Sequence, residues 1–165
     1  MVTAYLGLGS NLGNRLAFLR SGRDSLTSRF DIVLTRASGV YETAAIGGPA
    51  DNPPFLNAVL EIETTLSPRE LLAACLAVED EFGRTRPMEW APRTLDIDLL
   101  LYGDLLSDDP AMRIPHPHLH ERAFVLAPLS EIAPDFVHPG LQQTVRELAA
   151  ALPSCADLTL LRATW

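Results

Sequence analysis

Residues 55–83 read FLNAVLEIETTLSPRELLAACLAVEDEFG, and this stretch decides the fold. Leu56, Ala58, Leu60 and Ile62 alternate with Phe55, Asn57, Val59, Glu61 and Glu63. The period of two predicts a strand over 55–64 with its aliphatic face in the core. Ser67-Pro68-Arg69-Glu70 then supplies an N-cap, a proline at the first helical position and a capping-box glutamate. Leu71, Cys75, Val78 and Phe82 form the apolar stripe of a helix that Gly83 ends. Glu79 borders that stripe near the helix C-terminus.

The same grammar extends in both directions. Residues 2–9 (VTAYLGLG) read as a strand with Val2, Ala4, Leu6 and Leu8 on the core side. Gly7 and Gly9 leave the opposite face open to a ligand. Ser10-Asn11 predicts a cap, with a helix running on to Ser28. Residues 31–41 read as one strand, followed by a long loop from Glu42 to Pro54. A second loop over 84–94 precedes LDIDLLLY at 95–102, another strand. Its core face reads as Leu95, Ile97, Leu99 and Leu101. The order is β-α-β-β-α-β, which predicts an α+β, ferredoxin-like antiparallel sheet with helices on one face. Pro115, Pro117, Pro128, Pro134 and Pro139 break the remainder into turns and short helices. A helix is expected over 141–151 and an edge strand over 157–161. No repeat or linker divides the chain, so one domain over 1–165 is expected.

Composition excludes several classes. A net charge of −8 over 165 residues argues against a nucleic-acid-coating protein. All 13 basic residues are arginine, which removes Schiff-base and P-loop lysine chemistry. Cys75 and Cys155 imply no disulfide framework. No apolar run is long enough to span a membrane, and no signal peptide is evident, so a cytoplasmic protein without membrane partners is expected.

The chemistry gathers around Asp96 and Asp98. Two residues apart on a strand, both carboxylates project from one face. On the alternation alone, a solvated pair on an exposed sheet face is the competing reading. As a site they suit a hard divalent cation, Mg²⁺ first, shared with substrate phosphates. Arg84, Arg86 and Arg93 fall within the eleven residues before this strand, and guanidinium forks match phosphate oxygens. Ion pairing of that loop with Glu79, Asp80, Glu81 or Glu89 is the competing reading. Asn57 and Phe55 share the aspartate face. An amide can pair with a polar heterocycle and a ring can stack on it; plain core packing is the alternative. The spacing of His116, His118 and His120 does not match a zinc pattern. His138 reads as a surface residue.

Five segments together resemble the 6-hydroxymethyl-7,8-dihydropterin pyrophosphokinases of folate synthesis. They are GLGSNLGNR at 7–15, FLNAV at 55–59, Glu79 with Gly83-Arg84-Thr85-Arg86, WAPRTLDIDLLLYGD at 90–104 and IPHPHLHERAFVLAPLSEIAPD at 114–135. The resemblance spans nearly the whole chain in order. It implies transfer of pyrophosphate from ATP to the pterin hydroxymethyl group with release of AMP. It implies two Mg²⁺ ions on Asp96 and Asp98, with Arg84, Arg86 and Arg93 as catalytic arginines. It puts Glu79, Arg84, Arg93, His116 and Arg122 at ATP. It puts Thr43, Ala44, Ile46, Phe55, Asn57, Trp90, Asp96 and Phe124 at the pterin, with the ring between Phe55 and Phe124. A monomer is expected. The chain departs from the pattern at Phe55, where many members carry tyrosine, and at Pro87 and Pro117. Two other classes remain on the residues alone: a Mg²⁺-dependent nuclease or nucleotidyltransferase, and a ferredoxin-like small-molecule sensor.

Overall fold

The computed structural model describes residues 1–44, 53–83, 94–154 and 157–165. Its elements are β1 (Val2–Ser10), α1 (Arg15–Thr27), β2 (Ile32–Ala37), β3 (Val40–Thr43), β4 (Phe55–Thr64), α2 (Pro68–Glu81), β5 (Asp96–Tyr102), β6 (Ser107–Asp109), β7 (Met112–Ile114), α3 (Ala123–Ile132), α4 (Val145–Ala151) and β8 (Thr159–Arg162). The sheet runs β5-β1-β4-β3-β8, with β2 also paired to β4, and β6 and β7 form a separate hairpin. Every pairing is antiparallel.

The fold is the expected α+β arrangement, except that the C-terminal helices put helices on both faces and not on one. One core joins Leu6, Leu8, Leu56, Leu60 and Ile97 to Leu19 and Leu26 of α1 and to Leu71, Cys75 and Val78 of α2. A second joins Tyr5, Val59 and Leu101 to Val125, Leu126 and Leu129 of α3 and to Val145 and Leu148 of α4. The chain beyond β5 thus covers the opposite face, where the strands carry apolar side chains on both sides.

β4 and α2 have the bounds and the capping box read from the sequence. Other elements correct that reading. The expected strand 31–41 is two strands. The β2–β4 register shifts between Leu34 and Arg36. Ser38 then bridges to Val59, donating from its amide and accepting from the Val59 amide on its hydroxyl. α1 begins at Arg15 and not at Ser10-Asn11: β1 pairs through Ser10, Gly13 turns the chain at φ +70°, and Asn14 caps the Ala17 amide. Leu101 leaves the expected core face. A register shift between Tyr5 and Leu6 sets Leu101 opposite Tyr5 on the second face. The expected 141–151 helix is confined to α4, capped by Thr144 and Glu147. His138 is buried, 7% exposed, and its Nδ1 accepts from the Gly140 and Leu141 amides. The β6–β7 hairpin has no counterpart in the sequence reading.

Candidate active site

The site begins with strand register. Gly9 lies opposite Asn57 on β4 and opposite Asp96 on β5. Gly7 lies opposite Val59 and Asp98 in the same way. Directly opposed residues share a face, so Asn57, Asp96 and Asp98 project to one side while Leu56, Ala58 and Ile97 enter the first core. The glycines form the floor between them. A Cβ at Gly9 would stand 3.1 Å from Asn57 Oδ1 and 3.7 Å from the Phe55 ring. Any side chain there would press into this space.

Asn57 is 8% exposed, and its Nδ2 has no hydrogen-bond partner among the described residues. A buried amide donor left unmatched costs about 1–3 kcal/mol, so an acceptor brought by a ligand is favoured there. Thr43 is buried at the end of β3, opposite Phe55, and Ala44 is exposed beside it. One side chain of α1 bonds both to β3 and to the residue before β4. The Arg15 guanidinium pairs with Glu42 at 2.9 Å and donates to the Pro54 carbonyl at 3.0 Å. Asn11 Nδ2 donates to the Pro53 carbonyl at 3.3 Å. Sequence reasoning gave Arg15 no role and read Asn11 only as part of a helix cap; their place in the GLGSNLGNR segment was the signal for the site.

Behind the aspartates, Glu79 is 2% exposed. Its Oε1 accepts the Ile97 amide at 2.7 Å. Ile97 is the residue between Asp96 and Asp98, so α2 holds the aspartate strand through this one carboxylate. Cys75 lies close by. Burial first, then the charges of Glu79 and Asp98, push its thiol up to about 12. It stays protonated and is no nucleophile.

Beyond the outer edge of β5 opens a cavity of about 290 Å³. Leu72, Leu76 and Glu79 of α2 form one wall, Met112 and Arg113 of the hairpin another, and Asp98 and His116 its inner end. The His116 amide donates to the Leu100 carbonyl at 2.9 Å, tying the ring's backbone to β5. Burial first, then Arg122 and His118, pull the His116 imidazole down to about 4, against the opposing pull of Asp96. The ring is therefore neutral at pH 7. Its Nδ1 accepts the His118 amide at 3.2 Å, which leaves the proton on Nε2 as a donor. The Arg122 guanidinium lies 5.6 Å from the Phe124 ring centroid, a cation–π contact.

Asp96 and Asp98 suit a hard cation that keeps open positions. Among the described residues no group of three or more His, Cys, Asp or Glu forms a closed metal cage. Two carboxylates on one face match Mg²⁺ bound jointly with substrate oxygens. The register thus brings Phe55, Asn57, Asp96 and Asp98 to one side of the sheet, with Glu79 and His116 flanking Asp98 at the cavity. Ile46, Arg84, Arg86, Trp90 and Arg93 lie outside the described residues.

The family model described as 7,8-dihydro-6-hydroxymethylpterin-pyrophosphokinase (HPPK) matches residues 5–134. The chain belongs to this family. It is a pyrophosphokinase of folate synthesis, and its sheet and helices are the family's α+β fold. The 2-amino-4-hydroxy-6-hydroxymethyldihydropteridine pyrophosphokinase of Methylorubrum extorquens is 44% identical over 92% of this chain and 94% of its own length. The enzyme of the same name from Pseudomonas aeruginosa is 42% identical over 90% and 91%. Among solved structures, a Plasmodium falciparum HPPK-DHPS triple mutant with pteroate superposes with a TM-score of 0.72 at 15% identity. That match covers 90% of this chain and 43% of the Plasmodium chain, so the fold corresponds to less than half of that longer protein. No helix among the described residues is long and apolar enough to cross a membrane.

Proposed function

We propose that this chain transfers the pyrophosphoryl group of ATP to the hydroxymethyl oxygen of 6-hydroxymethyl-7,8-dihydropterin, releasing AMP. One observation carries the reading. The Asn57–Gly9–Asp96 and Val59–Gly7–Asp98 rows put a buried amide and two carboxylates on one face, and Asp98 also lines a cavity of about 290 Å³.

In this reading Asn57 presents its amide to the pterin edge, and Phe55 and Phe124 supply the stacking faces. Thr43, Ala44, Ile46 and Trp90 border the same subsite. The nucleoside occupies the cavity, and its phosphates lead inward past His116 toward the aspartates. The neutral His116 donates from Nε2 to a phosphate oxygen, and Arg84, Arg86, Arg93 and Arg122 match the remaining phosphate charge. Asp96 and Asp98 would hold two Mg²⁺ ions, which supply charge neutralisation at the phosphates and a lowered pKa for the attacking hydroxyl. Glu79 keeps Asp96 and Asp98 in place through Ile97. The hydroxyl attacks the β-phosphorus in line, and no covalent enzyme intermediate is required. The protein works as one cytoplasmic, monomeric domain on small molecules.

The test is product analysis. With ATP, Mg²⁺ and the pterin, chromatography should find AMP and a diphosphorylated pterin in equal amounts. ADP as the stoichiometric product would overturn attack at the β-phosphorus. Absence of pterin-dependent nucleotide turnover would overturn the reading itself.

A further inference from the structure

The hairpin wall of the cavity is thinly attached. β6 and β7 have three residues each and pair only with one another, and an isolated two-stranded hairpin is marginal in water. At its base, Ile114 enters the first core and Met112 packs against it. At its tip, Asp109 makes two different contacts. Its Oδ1 accepts the Ala111 amide at 2.9 Å, closing the turn. Its Oδ2 takes the Arg69 guanidinium. Arg69 lies in the first turn of α2, on the stripe that continues through Leu72, Leu76 and Glu79. That stripe is the opposing wall. The pair therefore joins the two walls, one turn of α2 before Leu72 and next to Pro110 of the cavity lining.

We propose that Arg69 and Asp109 form a clamp that sets the opening of the nucleotide cavity, and so act as positioning residues for ATP and not for the pterin. The inference rests on the cavity being the nucleotide subsite. With the ion pair made, the hairpin tip is held against α2 and the pocket exists before ligand arrives. With it broken, the hairpin samples wider positions. The apparent affinity falls by the fraction of time the pocket is closed. The Arg69 side chain is 69% exposed and that of Asp109 32%, so solvent screens the pair and the effect is modest.

The experiment titrates Mg²⁺ with a non-hydrolysable ATP analogue against the full chain and measures both KM values. Arg69→Ala and Asp109→Asn should each weaken analogue binding about two- to fivefold. Asp109→Asn retains an acceptor for the Ala111 amide, so it tests the ion pair apart from the turn. The double variant should be no worse than either single one. Arg69→Lys should restore most of the affinity. The KM for ATP should rise while kcat and the KM for pterin hold. Unchanged analogue affinity in both single variants, additive losses, or equal weakening toward pterin would each overturn the clamp. Ala111→Trp, which places a large side chain in the cavity wall, separates the two levels. If it weakens the analogue while the clamp variants do not, the clamp alone fails. If it leaves affinity unchanged, the nucleotide assignment of the cavity fails and the clamp with it.

Discussion

Glu79→Ala removes the hydrogen bond by which α2 grips the aspartate strand at Ile97. The carboxylate is 2% exposed, so the orphaned Ile97 amide stays in a dry site. A hydrogen bond to a charged acceptor is worth about 1.5–3 kcal/mol. Removing the carboxylate also removes its own burial cost, which offsets part of the loss. A net destabilisation of about 2 kcal/mol follows, and for a domain of this size it lowers Tm by about 4–8 °C. The catalytic loss is larger in proportion. Ile97 lies between Asp96 and Asp98, and a misplacement of about 1 Å at reacting groups costs on the order of 10²-fold in rate. Glu79→Gln keeps an oxygen for the amide and should retain more than half of the stability. Urea denaturation, steady-state kinetics and hydrogen exchange at the Ile97 amide read the three effects. An Ala variant with wild-type stability and a still-protected Ile97 amide would refute the anchoring role. So would a Gln variant as destabilised as Ala.

Asp98→Ala should cut turnover by about 10²–10³-fold with the fold intact, because the side chain leaves the apolar core untouched; near-normal kcat in a folded variant at saturating Mg²⁺ counts against it. Asn57→Ala should weaken pterin binding by about 1–3 kcal/mol and leave ATP affinity unchanged; calorimetry finding equal loss for ATP would move Asn57 to the nucleotide side. The imidazole of His116 is held near 4 in the folded chain against an ordinary 6.5, so the unfolded chain binds the extra proton first and stability falls as pH drops from about 6.5 to 4. The shift is worth about 3 kcal/mol in full, and solvent access cuts the contribution to about 1–2 kcal/mol; denaturation at stepped pH should show His116→Asn losing less stability over that window than the native chain.

Local chemistry was legible wherever one element settled it. The alternation of FLNAVLEIET and the Ser67–Glu70 capping box determine β4 and α2 to the residue, because period and cap depend on nothing outside the segment. The shared face of Asp96 and Asp98 follows from their spacing in the same way. The core faces of the two strands put Asn57 on that same side but do not fix how close it lies. That Asn57 and Asp96 flank Gly9 depends on registers across three strands, and register is set by the packing of the whole sheet. The second core was hidden for the same reason. Leu101 changes face at an irregularity opposite Tyr5, and Val59 reads as a polar-face residue until α3 covers it. His138 looks like a surface residue in a proline-rich turn, yet a turn that folds back on its own ring buries it. The cavity is the extreme case. Its walls come from α2, β5 and a hairpin of three-residue strands too short to show a period. The sequence by itself determined the elements and the aspartate pair. Tertiary structure alone decided the row that aligns Asn57 with Gly9 and Asp96, the pocket beside the pair and the ion pair that joins that pocket's two walls, because each joins residues from elements distant in sequence.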